Sequence, residues 1–118
     1  MSRHEKHRIL CVSPSRFMLN RMRSSLSSRE YEALTADTPE QAVAFCVSNN
    51  VAAVVLDSEF ATTHGWSAAQ TFKGINPHLP VLLLASNHNG HTPVGIDAVA
   101  PTVAVMLDKL NLLLTRNS

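Results

Sequence analysis

Hydrophobic positions along this chain follow two alternating rhythms. Runs without a single polar residue, Ile9-Leu10-Cys11-Val12, Val51-Ala52-Ala53-Val54-Val55-Leu56 and Val81-Leu82-Leu83-Leu84-Ala85, are separated by stretches in which apolar residues return every three or four positions. An uninterrupted run of strand length must be covered on both faces, as in a parallel sheet with helices on either side, whereas the three-to-four spacing is that of an amphipathic helix. The central run is the clearest: six apolar residues lead straight into the carboxylate of Asp57. Asp57 therefore stands at the C-terminal end of a buried strand, the sheet edge where open α/β folds bind ligands and do chemistry.

In chain order, residues 7–12 predict a first strand, stopped by Ser13-Pro14-Ser15. A helix follows, with Met18, Leu19, Met22 and Leu26 on one face, Arg16, Asn20, Arg23 and Ser27 on the other, and Ser13 or Ser15 as N-cap. Residues 31–36 predict a short strand, and Thr38-Pro39-Glu40-Gln41 starts a second helix, with Thr as N-cap and Pro at its first position, that runs to about Ser48. After the Asp57 strand, residues 58–65 read as a loop; Ala68, Ala69, Phe72 and Ile75 mark a helix closed by Asn76-Pro77, and residues 80–85 a fourth strand. Gly90 and Pro93 oppose a regular helix over 86–94, so a loop or helical remnant is expected there. Residues 95–100 form a weak fifth strand. Pro101-Thr102 opens a last helix whose core stripe is Val103, Met106, Leu107, Leu110, Leu113 and Leu114, widened by Val105 and Leu112 into a broad apolar face suited to a partner, a second copy included.

Five strands alternating with helices predict an α/β three-layer sandwich, doubly wound, with a parallel sheet of order 2-1-3-4-5. A length of 118 residues fits one domain spanning residues 1–118, with its core at about 8–114. Ten basic against nine acidic residues leave a net charge of +1, which argues against a dedicated nucleic-acid binder, and the apolar runs are too short to span a membrane. Cys11 and Cys46 lie inside apolar segments without metal-binding spacing and read as buried thiols of a reducing cytoplasm, the expected location, with no signal peptide in view.

Nucleotide loops of the G-x-G-x-x-G or Walker type and the G-x-S-x-G elbow of hydrolases are missing, so an enzyme is not expected. His64, His88 and His91 fall in loops at the active edge, His88 and His91 three apart. A transition-metal site or a small flavodoxin-like enzyme built on them is the reading from a different class.

Residues 8 to about 114 resemble a receiver domain of two-component response regulators, the CheY-like module that accepts a phosphoryl group on an aspartate. RILCVS resembles its first strand, TADTPEQAV its second strand-to-helix junction, VAAVVLDSEF the strand bearing the acceptor, and LPVLLLAS its fourth strand, while Gly65 falls where the family opens its third helix. The resemblance implies a phospho-acceptor at Asp57. It also implies a Mg2+ ion held by an acidic pair after the first strand, by the acceptor and by the backbone carbonyl two residues on, here that of Glu59. A Ser/Thr after the fourth strand and a lysine after the fifth would bind phosphoryl oxygens.

This chain departs from that pattern. Ser13 and Pro14 replace the acidic pair, Ala85 the Ser/Thr with Ser86 one place late, Pro101 or Thr102 the lysine, and Val99 the aromatic switch residue. Losing these groups removes hard oxygen ligands and a fixed positive charge, so phosphoryl transfer should slow by orders of magnitude. The resemblance thus implies a stand-alone pseudo-receiver of phosphorelay signal transduction. It would act by contact with a histidine kinase, phosphotransfer or output protein, with no resident cofactor or at most Mg2+ at an incomplete site. The alternative is a phosphorylation-competent receiver that uses Asp57 with an unusual Mg2+ site.

Overall fold

A computed structural model gives the architecture and describes residues 7–64, 67–86 and 94–116, with the backbone only of Thr63, His64, Ser67 and Arg116. Five strands, β1 (Arg8–Val12), β2 (Glu32–Ala36), β3 (Ala53–Asp57), β4 (Val81–Leu84) and β5 (Ala98–Ala100), form one sheet of order β2-β1-β3-β4-β5 with every pairing parallel. The helices are α1 (Arg16–Ser28), α2 (Pro39–Ser48), α3 (Ser58–His64), α4 (Ser67–Ile75) and α5 (Val103–Arg116).

The alternation of side chains along each strand divides the core in two. Ile9 and Cys11 of β1, Ala53 and Val55 of β3, and Leu82 and Leu84 of β4 pack against Leu19, Met22 and Leu26 of α1 and Val103, Met106 and Leu110 of α5. Their neighbours Leu10, Val12, Val54, Leu56, Val81 and Leu83 pack on the opposite face against Ala42 of α2, Phe60 and Ala61 of α3, and Ala69 and Phe72 of α4. Covering on both faces is why the buried runs 9–12, 53–56 and 81–84 carry no polar residue.

Helix starts follow the sequence. Ser15, not Ser13, caps α1 by accepting from Met18 N at 3.2 Å, and Thr38 caps α2 by accepting from Gln41 N at 3.2 Å with Pro39 in the first turn. The largest correction concerns residues 58–65. Residues 58–64 form α3 rather than a loop, because Phe60 and Ala61 are fully buried on the α2 side and Asp57 supplies the cap that a helix start requires. The expected loop over 86–94 lies mostly outside the described residues, as do Gly65, Trp66, His88 and His91.

Candidate functional site

The register of the central strands brings the site together. Val12 pairs with Leu56, so the next rung sets Ser13 beside Asp57 at the carboxyl edge, both on the α1 and α5 side of the sheet by strand alternation. Ser13 is wholly buried and Asp57 is 7 % exposed; they are the two buried polar or charged residues among those described. A buried carboxylate needs partners, and this one has them. The Ser13 hydroxyl donates to Asp57 Oδ2 at 2.7 Å, and Glu59 N–H donates to Oδ1 at 3.3 Å. Ser13 is itself held: its Oγ accepts from Ser15 N at 3.1 Å, and its N–H donates to Ala36 O at 3.1 Å.

Asp57 thus does two things. It closes β3, and it occupies the N-cap position of α3, taking the N–H of the helix's second residue. The same helix governs Glu59. A residue in the first turn directs its N–H back toward the cap and its carbonyl along the axis away from it, so Glu59 presents its N–H to Asp57 where the resemblance places a carbonyl ligand.

The other expected positions are now placed. Pro14 is exposed. Ala85 is buried, with its N–H donating to Ala100 O at 2.9 Å, and Ser86 beside it is exposed. Val99 is half-buried and packs on the core face shared by α2 and α4. Pro101 is exposed, and Thr102 turns its hydroxyl to the start of α5, where Oγ1 accepts from Val105 N at 3.2 Å. His64 closes α3, its side chain undescribed, and His88 and His91 lie outside the described residues.

These donors do not fit a divalent cation. Magnesium prefers near-octahedral oxygen ligands with one or two carboxylates, yet Asp57 meets a hydroxyl donor and an amide donor, and the residue after Ser13 is a proline with no side-chain oxygen. Among the described residues no three His, Cys, Asp or Glu side chains gather as a metal site. Burial pushes the Cys11 thiol up to about 12 and the Cys46 thiol up to about 11, which keeps both protonated at neutral pH.

A second polar cluster, which the sequence reading did not single out, sits at the opposite edge of the sheet. Lys73 Nζ donates to Asp97 Oδ2 at 2.6 Å and to Leu79 O at 2.7 Å, and the same Asp97 oxygen accepts from Val81 N at 2.8 Å. It fastens the end of α4 to the starts of β4 and β5. Lysine 24 residues before an aspartate is no local signal, which is why pattern reading passes over it.

No family model matches the chain, and no curated protein matches it. Solved structures do. A CheY-like response regulator receiver domain protein from Methanospirillum hungatei superposes with a TM-score of 0.79 at 18% identity, covering 95% of this chain and 96% of that one. TrrA from Thermotoga maritima, a response regulator solved in complex with Mg2+ and BeF, gives 0.79 at 21% identity over 91% and 98%. The chemotaxis response regulator CheY4 of Vibrio cholerae gives 0.80 at 17% over 92% and 99%. At such identities the likeness is one of fold: this chain has the flavodoxin-like receiver fold, over nearly the full length of each neighbour.

Proposed function

We propose that this chain is a receiver-type signalling protein that works by protein–protein contact, with Asp57 held by an internal hydroxyl in place of a metal ion. The observation that carries this reading is the 2.7 Å hydrogen bond from Ser13 Oγ to Asp57 Oδ2, made by a side chain standing where the receiver pattern has an acid. An acid there would repel Asp57 until a cation bridged them; the serine instead satisfies Asp57 with no cation. A partner would be a histidine kinase, a phosphotransfer protein or an output protein, in the cytoplasm. Two surfaces are suited to it: α1, where Phe17 is 70 % exposed among arginines, and α5, where Leu112 is 60 % exposed beside the core stripe. The α5 surface also suits a second copy of the chain.

The test is a titration with Mg2+ followed by beryllofluoride, a phosphoryl mimic, observed through backbone amide NMR with Asp57→Ala as control. Amides of Ser13, Asp57 and Glu59 that stay in place are the expected result. Saturable shifts in the wild-type protein that Asp57→Ala abolishes would overturn it in favour of a phosphorylation-competent receiver. Zinc or nickel binding lost in His88→Ala would instead favour a histidine-based metal site.

A further inference from the structure

We propose that the groove between α1 and the β2–α2 junction binds a small hydroxyl-bearing anion of the sugar-phosphate class. The groove encloses about 300 Å³, which is at the lower end of the range for small-molecule sites, and opens outside the carboxyl ends of β1 and β2, the edge where α/β sheets take ligands. It does not rest on the state of Asp57.

The lining supports that assignment. Arg16, Asn20 and Arg23, spaced four and three apart, present one face of α1 to the groove, and Thr35, Asp37 and Gln41 face them from β2 and α2. Arg23 is positioned rather than loose: Nη2 donates to Thr35 Oγ1 at 3.2 Å. Gln41 is positioned too, because its Oε1 accepts from Asp37 N at 3.0 Å, which leaves the amide NH2 to donate into the groove. Among the described residues neither Arg16, Arg23 nor Asp37 enters an ion pair; the two salt bridges, Arg8 with Glu32 and Lys73 with Asp97, lie elsewhere. Two guanidinium groups against one carboxylate leave a single positive charge in excess, and a guanidinium fork matches the oxygens of a phosphate. Asp37 would repel a bare phosphate, but it is a ready acceptor for a hydroxyl carried on the same molecule. One anionic group and at least one hydroxyl group is the ligand chemistry these side chains recognise together.

The experiment titrates the protein with ribose 5-phosphate, with inorganic phosphate and with ribose, following backbone amides by NMR. Ribose 5-phosphate is expected to shift residues 16–23 and 35–41 saturably, and ribose alone to shift nothing. Arg16→Ala and Arg23→Ala, both at exposed positions, should each weaken binding by tenfold or more with the rest of the spectrum unchanged. Asp37→Ala, which removes the acceptor as well as the charge, should strengthen inorganic phosphate and narrow or abolish the preference for ribose 5-phosphate over it. Shifts that fail to saturate, that spread over the surface or that survive the arginine variants would overturn the site as an ion atmosphere only. Inorganic phosphate binding as tightly as ribose 5-phosphate, or a preference for ribose 5-phosphate that Asp37→Ala leaves unchanged, would overturn the assignment of the hydroxyl.

Discussion

The Ser13 hydroxyl has one proton to give, and it gives it to a carboxylate with almost no access to water. Hydrogen bonds to charged groups contribute more than neutral ones, and removing the donor leaves its buried partner without compensation. Ser13→Ala is therefore expected to cost about 1.5–3 kcal/mol of stability by urea denaturation, whereas an exposed serine such as Ser24 should cost less than about 0.5. The two thiols contribute to the alkaline pH dependence, with Tyr31, whose phenol burial also raises against the opposing Arg29 charge. The thiols' ordinary value is 9.0, and burial raises Cys11 to about 12, partly opposed by the Arg23 charge, and Cys46 to about 11. In the unfolded chain they ionise first, so the unfolded state holds fewer protons in this range. Stability present below pH 9 is then lost as pH rises toward the folded values. Urea midpoints measured from pH 7 to pH 11 should fall, and the fall should shrink in a Cys11→Ala, Cys46→Ala variant compared with its own value at pH 7.

At the scale of the elements, the connection into β5 depends on one glycine and one ion pair. Gly95 has φ of +91°, and a Cβ there would stand 3.1 Å from Ala69 Cβ and 3.3 Å from its backbone carbon in α4. Neither neighbour is the end of a flexible side chain, so Gly95→Ala combines left-handed strain with a clash and should cost about 1–3 kcal/mol by thermal or urea unfolding. Two residues on, Asp97 accepts from both Lys73 and Val81 N through one oxygen. Lys73→Ala and Asp97→Ala should be non-additive, with a coupling of about 0.5–2 kcal/mol in a double-mutant cycle, and Asp97→Ala the more costly because it also strands the Val81 N–H. These features show what was legible in the chain and what was not. The caps of α1 and α2 and the α5 stripe follow from periodicity and from residues within a turn of one another, and the strand order from the alternation of strands and helices. Helix α3 is not legible in the sequence because its polar tail Thr62-Thr63-His64 hides the pattern, while its cap, Asp57, is also the last residue of β3. Ser13 was legible as a departure from an acidic pair. Its role as a donor depends on the Val12 to Leu56 register, which no local signal reports.

Across the whole molecule, the hydrogen bonds of Asp57 go to Ser13 and Glu59 and not to Ala85, Val99 or Thr102, and the reach of that site can be tested by rebuilding it. Ser13→Asp with Pro14→Asp would set three carboxylates at one sheet edge. Without a cation they repel, so the variant is expected to be about 1–3 kcal/mol less stable than the parent. Adding Mg2+ should return part of that loss: at a concentration ten times the dissociation constant, binding to the folded state alone contributes about 1.4 kcal/mol. The thermal midpoint of the variant should therefore rise with Mg2+ while that of the parent stays fixed. The reach of the effect follows from what stands at the other positions. Thr102 has its hydroxyl committed to the first turn of α5, Ala85 has no side-chain oxygen, and Val99 is packed against the core, so no charged or hydroxyl group at these three places is set to follow a new charge at Asp57. Mg2+-dependent amide shifts should stop at the ends of β1 and β3 and the start of α3. If they extended to Val99 and along α5, coupling across the sheet would be carried by the packed core alone, and contact signalling could still be switched from the Asp57 edge.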